Sequence, residues 1–297
     1  MTQDFSIQTI NDNFFTGVGE FSGLTSASSI RRLSSILWSG ENINDACYLT
    51  LPSGKFYVRV KDYRKCHDSS QETVIGELLN GKGRIDFSSP DFIVRAYHAD
   101  RWYICIEKWN NTQLSSLERR APLRPFFSPI SLSPRTARLM INISATKAGD
   151  LVLDPFCGTG GILIEAALMG RRIMGNDFSL AMTSGTKLNL KYYGIRDFSI
   201  FNSDILSFDP GRKVDAVVTD FPYGRNSLVS DRDFKVFYTG ALSRISGFLK
   251  EKGRLVLMIN DPSLLTIPGN LHILKTVSFR VHRSLTRHIM VLEKISV

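Results

Sequence analysis

From residue 149 onward, short apolar runs alternate with longer segments whose apolar positions recur every three or four residues. This pattern predicts strands at 150–154, 172–177, 198–203, 215–220 and 253–260, with helices at 160–169, 179–193 and 231–249. Strand and helix in strict alternation predict an α/β fold, a parallel doubly wound sheet. Two longer strands, near 271–282 and 287–295, close the chain.

Upstream the pattern changes. Phe56, Val58 and Val60 alternate with Tyr57 and Arg59, as in a half-buried strand, and Val74, Ile75, Leu78 and Leu79 share one face of a helix over 69–79. Asp91–His98 and Arg101–Glu107 predict two strands joined tightly at Ala99 and Asp100, with Phe92 and Tyr103 in the core. Farther upstream, Ile30, Leu33, Ile36 and Leu37 form a helical stripe over Ser29–Trp38, which Gly40 would stop. Residues 108–136 carry Pro122, Pro125, Pro129 and Pro134 among Arg119, Arg120 and Arg124, a stiff basic linker. A helix follows at Pro134–Ile143, with Ser133 as its N-cap. Four regions result: 1–45, an N-terminal region; 46–118, a small α+β domain; 119–136, the linker; and 137–297, the α/β domain.

Composition narrows the class. The chain has 297 residues, 43% hydrophobic and 22% charged, enough to bury a sizeable core. There is no apolar run of membrane-spanning length and no signal peptide, so a cytoplasmic protein is expected. Cys47, Cys66, Cys105 and Cys157 lack metal-site spacing, and reduced thiols without a metal are expected. A net charge of +9 favours a polyanionic partner. Arg119, Arg120 and Arg124 are its candidate contacts, unless the linker is merely solvated.

Two strand ends carry chemistry. Leu151-Val-Leu-Asp-Pro-Phe-Cys-Gly-Thr-Gly-Gly161 is a strand running into a glycine loop. Gly158, Gly160 and Gly161 let backbone lie against a ligand. Asp154 ahead of them disfavours a pyrophosphate and suits a cation, such as the sulfonium and ammonium of S-adenosylmethionine. Asp177 ends the next strand, where an acid can accept ribose hydroxyls. Asp204 follows the third, placed for an adenine amino group with Phe178 and Ile205 flanking the ring. Three successive strand ends closed by Asp favour a cofactor site over solvated strand ends. At the fourth strand end stands Asp220-Phe221-Pro222-Tyr223. The Asp220 carboxylate and the Phe221 carbonyl can accept the two hydrogens of an exocyclic amino group, and Tyr223 offers a stacking face. Pro222 keeps the residue before it extended.

Together these motifs resemble the amino-group methyltransferases with an (Asp/Asn/Ser)-Pro-Pro-(Tyr/Phe) motif. Arg124-Pro-Phe-Phe-Ser-Pro129, Ser133-Pro-Arg-Thr-Ala-Arg138 and Val281-His-Arg-Ser-Leu-Thr-Arg-His288 are similar to the archaeal tRNA guanine-10 N2-methyltransferases, from about residue 46 to the end. The resemblance implies a class I, Rossmann-like methyltransferase domain finished by a β-hairpin and preceded by a THUMP-like domain that docks on the tRNA acceptor end. It implies S-adenosylmethionine as cofactor, transfer of one or two methyls to guanine N2 at position 10 of tRNA, and a monomer. Two departures stand out. Phe221 replaces a proline, and the region before the THUMP-like segment is shorter than the family's linker domain. The rival expectations are a DNA adenine-N6 or cytosine-N4 methyltransferase, which would need a domain reading a duplex groove, and a non-catalytic RNA-binding protein on the same fold.

Overall fold

The computed structural model describes residues 6–11, 14–18, 32–64, 70–110, 119–129, 131–222, 234–282 and 285–295. The chain forms two compact units, Met1–Ser26 with Ile30–Gln113, and Ala27–Ser29 with Leu114–Val297.

In the first unit, β1 (Ser6–Asn11) and β2 (Phe14–Val18) form a two-stranded antiparallel sheet. The remaining elements are β3 (Arg32–Gly40), β4 (Lys55–Asp62), α1 (Ser70–Leu78), β5 (Arg84–Ile85), β6 (Phe92–His98) and β7 (Trp102–Asn110). Their five strands lie in the order β3-β7-β6-β4-β5. Alternation turns Phe56, Val58 and Val60 onto Ile75 and Leu79, as the sequence predicts. Tyr103 is buried, and Phe92 packs against the core.

The helix expected over Ser29–Trp38 is a strand wherever it is described, because β3 pairs antiparallel with β7. Its register shifts between Leu33 and Ser34 and again between Ile36 and Trp38. The first shift leaves Lys108 of β7 as the extra residue, and the second leaves Leu37 of β3, which moves later side chains of β3 to the opposite face, so a period of two reads as a helical stripe. Residues 29–31 lie outside the described residues.

The second unit contains α2 (Pro134–Ile143), β8 (Leu151–Asp154), α3 (Gly161–Leu168), β9 (Arg172–Asp177), α4 (Leu180–Tyr192), β10 (Ser199–Asn202), β11 (Val214–Asp220), α5 (Phe234–Phe248), β12 (Leu249–Ile259), β13 (Leu271–His282) and β14 (Leu285–Lys294). The strands order as β10-β9-β8-β11-β12-β14-β13. The first five are parallel, and β14 runs antiparallel to both β12 and β13. The Ser133 hydroxyl caps α2 by accepting the Thr136 N–H at 3.1 Å.

Two apolar layers sandwich the sheet. Val152, Ile173, Ala216, Val218, Val256, Met258 and Ile289 pack with α2 and α3. Leu153, Met174, Val217, Leu255, Leu257 and Met290 pack with α5. Side chains alternate between faces along a strand. Asp154, Asp177 and Asp220 each sit an even number of residues beyond an α2/α3-facing residue of their own strand. All three acids are therefore delivered to one face, at the carboxyl ends of adjacent strands β9, β8 and β11.

The expected linker is a strap fastened to this unit. The Phe126 N–H donates to Asn189 Oδ1 and its carbonyl accepts from Asn189 Nδ2, both at 2.9 Å. Phe126 fills the space a side chain would need at Gly185, where a Cβ would lie 2.0 Å from the ring. Gly185→Ala should lower the unfolding midpoint by about 3–10 °C, the consequence of overpacking by one methyl. An unchanged midpoint in calorimetry would show that the strap does not seat there.

Candidate active site

The glycine loop is fixed by its own hydrogen bonds. Gly158 and Gly160 adopt φ of 51° and 84°, the left-handed region where a side chain is strained. A Cβ on Gly160 would also stand 3.0 Å from Thr186 Cγ2. From α4, the Thr186 hydroxyl donates to the Gly158 carbonyl at 2.6 Å and Asn189 Nδ2 to the Thr159 carbonyl at 2.9 Å. The Asp177 carboxylate accepts the N–H groups of Gly158 and Ser179, each at 2.9 Å. It therefore braces the loop and still keeps lone pairs for a ligand hydroxyl.

Asp154, Asp177 and Asp220 line one cleft of about 190 Å³, together with Gly158, Gly161, Met182, Phe221 and Pro222. Ser128, Ser131 and Leu132 of the strap form another part of its wall. Burial pushes the Asp154 carboxyl up to about 7, and the charges of Asp177 and Asp220 add to the shift. The Thr219 hydroxyl, donating at 2.7 Å, and the Phe156 N–H, at 3.2 Å, pull the other way. Burial likewise raises Asp177 above its ordinary value. Three carboxylates held this closely in a low dielectric favour a cation in the cleft.

Phe178, Asp204 and Ile205 stand at neighbouring strand ends but outside the lining of the cleft. Phe178 is exposed, whereas Ile205 is buried in the core on the α5 face. Asp204 Oδ1 accepts the Leu206 N–H at 2.9 Å. Of the three arginines expected to face a polyanion, Arg120 is exposed and the other two turn inward. Arg119 donates to both carboxylate oxygens of Glu165, which is fully buried on α3. Arg124 is 5% exposed and lies against Thr159 and Gly161 of the glycine loop. A buried carboxylate needs paired cations, and the strap supplies one in Arg119 while Arg138 of α2 supplies another at 3.6 Å.

Asp220 and Phe221 diverge because they are consecutive on a strand. Asp220 faces the cleft, while the Phe221 ring enters the α5 layer, 1% exposed. There it meets Phe156 edge-on at 5.3 Å and Tyr238 at 5.4 Å. Its N–H donates to the Met258 carbonyl at 3.0 Å and extends the β11–β12 ladder by one rung. The Tyr238 hydroxyl donates to the Pro222 carbonyl at 2.6 Å. Burial pushes that phenol up to about 12, so it remains a donor at neutral pH. Tyr223 lies outside the described residues. Sequence reasoning missed Tyr238, Thr219 and Arg287, whose guanidinium donates to Asp220 Oδ1. The signal for Arg287 lay in the stretch Val281–His288, singled out without a role.

A parallel sheet in which β14 alone runs the other way, inserted between β12 and β13, with its cleft at the carboxyl ends, places the second unit among the class I methyltransferases. TrmN from Thermus thermophilus has this fold, with a TM-score of 0.60 at 19% identity, covering 95% of this chain and 89% of that one. Residues 122–289 match the family described as UPF0020, RMKL-like, methyltransferase domain. The tRNA (guanine(10)-N2)-dimethyltransferase of Methanothermobacter thermautotrophicus is 37% identical over 250 residues, 81% of this chain and 73% of that protein. The enzyme of the same name from Pyrococcus abyssi is 35% identical, over 87% of this chain and 82% of its own. The chain belongs to the RMKL-like methyltransferases and, among them, to the family of the archaeal tRNA (guanine(10)-N2)-dimethyltransferases.

The phenylalanine at 221 now has a physical account. Phe221→Pro would remove the N–H bonded to Met258 and the buried ring together. It should destabilise the protein by about 3–5 kcal/mol, the scale of losing a packed aromatic. Denaturant unfolding checks this, and a variant as stable as the parent would contradict the anchoring role.

Proposed function

We propose that this protein is an S-adenosylmethionine-dependent methyltransferase acting on the N2 amino group of a guanine in tRNA, at position 10, adding one or two methyls. The convergence of Asp154, Asp177 and Asp220 on one cleft carries the reading. The relatives' names supply the nucleobase and the position.

The residues fit the cofactor. Asp154 and its acidic neighbours suit its two positive charges, the loop brings backbone against it, and Asp177 can accept from the ribose. When bound, it supplies an electrophilic methyl on a sulfonium whose sulfur leaves with the bonding electron pair. The guanine amino group lies with one N–H on Asp220 and the other on the Phe221 carbonyl, which turns its lone pair toward the methyl. Tyr223 stacks on the base. The nitrogen forms the new bond to carbon, and its surplus proton passes to Asp220, which burial holds near 6. Positioning and charge do most of the work.

We assign tRNA docking to the first unit, a THUMP-like module, within a cytoplasmic monomer. Among the described residues, no helix is long and apolar enough to cross a membrane. On β4 the exposed Lys61 shares a face with Tyr57 and with Arg59, whose guanidinium lies 4.8 Å from the Tyr57 ring centre and pairs with Glu72 at 3.1 Å. That is a surface suited to a phosphate backbone.

Labelled methyl transfer to unmodified tRNA, followed by mass mapping of fragments, tests the reading. Label should appear at guanine 10, and Asp220→Ala should lower kcat by about 100-fold or more while cofactor still binds. Label on DNA alone, or on no nucleic acid, would overturn it. Cofactor affinity carries a second expectation. A bound cation favours ionised Asp154, so its raised pKa falls on binding and a proton is released. Affinity should rise as pH increases from about 5.5 toward 7 and level off above that, whereas Asp154→Asn should bind more weakly and flatten the profile. Calorimetric titration across pH reads both.

A further inference from the structure

Arg287 lies 67 residues from Asp220 in sequence, yet its guanidinium donates to Asp220 Oδ1. The sheet makes this contact a matter of parity. On β14, Ile289 and Val291 face α2 and α3, so Arg287 faces the same side as Asp220 on β11. Asp220 pairs with Met258 of β12, and Met258 pairs with Ile289 of β14. The arginine therefore reaches across one intervening strand, about 10 Å between β11 and β14, a span its long side chain covers. Only 6% of that side chain is exposed. A cation so enclosed is worth its desolvation only when it is paired.

We propose that Arg287 is the positioning residue of the methyl-transfer site, holding Asp220 by Oδ1 so that Oδ2 alone is presented to the acceptor nitrogen. The inference rests on the amino-methyltransferase reading. A carboxylate free to rotate would present either oxygen, at varying angles. Tied by one oxygen to a buried fork, it offers the other along a fixed direction. The same contact keeps Asp220 ionised. Burial raises this acid, and Arg287 is the neighbour that opposes the rise. The other groups near it are Asp154 from β8 and the Tyr238 phenol from α5. One is an acid and the other a neutral donor, so neither takes the place of the guanidinium. Reach and geometry favour arginine over lysine at this position.

Arg287→Met and Arg287→Lys, compared with the parent, test the assignment. With unmodified tRNA, Arg287→Met should lower kcat by about 100-fold while the KM for S-adenosylmethionine changes by less than about threefold. The acidic limb of its kcat–pH profile should move up by about one pH unit or more, and Arg287→Lys should restore part of both. The Asp220 carboxyl should titrate correspondingly higher in carbon-13 spectra of Arg287→Met, its signal assigned by its loss in Asp220→Asn. Circular dichroism and the unfolding midpoint confirm that the variants fold. Activity loss with an unmoved acidic limb and an unmoved Asp220 titration would make Arg287 merely structural and overturn the proposal. Full activity in Arg287→Met would do the same. A parent that methylates no tRNA would instead remove the proposed substrate, while the carboxyl titration would still decide whether Arg287 governs Asp220.

Discussion

Three carboxylates on adjacent strands are the constraint around which the catalytic unit is built. A doubly wound sheet delivers side chains of one parity to one face. Asp154, Asp177 and Asp220 end three neighbouring strands in the same parity. The fold thus concentrates like charges in a place with little water. Asp154 and Asp220, raised to about 7 and about 6, record the cost. Because their folded values lie above the unfolded ones, these acids favour the fold below about pH 4. That contribution is lost as pH rises through 6 and 7. The site is least comfortable once both carboxyls are ionised, a repulsion that a cation in the cleft would relieve. Ligand affinity and strain of the empty site are two faces of one electrostatic arrangement.

The loops that present these acids are secured by bonds made elsewhere. The glycine loop hangs from α4 through Thr186 and Asn189. Asn189 also grips the strap through Phe126, so one buried side chain serves both the loop and the wall beside it. At the opposite side of the cleft, the motif Asp220–Pro222 is pinned at three points: Arg287 on the carboxylate, Met258 on the Phe221 N–H, and Tyr238 on the Pro222 carbonyl. Related motifs stiffen this turn with a proline at the second position. Here an aromatic ring wedged among Phe156 and Tyr238 does so, and the ring can do this because strand parity sends it away from the cleft.

Much of this was legible in the sequence because periodicity and parity are local. The parallel strands, the helices between them and the acid at each strand end follow from short windows of residues. What escaped was of two kinds. In β3, a bulge at Leu37 broke the alternation, so a strand carried a helical stripe. In the strap, proline and arginine content suggested a stiff basic linker facing a polyanion, because composition does not reveal that Glu165 is buried and must be met by Arg119. Phe178, Asp204 and Ile205 stand close to their expected places without lining the cleft. Arg287 was out of reach for another reason. Its partner is fixed by the order of strands, and that order is a long-range property.

The inward-turning arginines also change what the basic charge means. Net charge is a sum over surface and interior, and only the surface part attracts a polyanion. Arg119, Arg124, Arg138 and Arg287 are spent on the interior of the catalytic unit, each beside an acid or the glycine loop. Their positive charge stabilises carboxylates, not phosphates. The charge available to RNA must come from exposed side chains such as Arg120 and Lys61. A strip of arginines in a sequence is therefore weak evidence for a nucleic-acid contact until the acids it must neutralise have been counted.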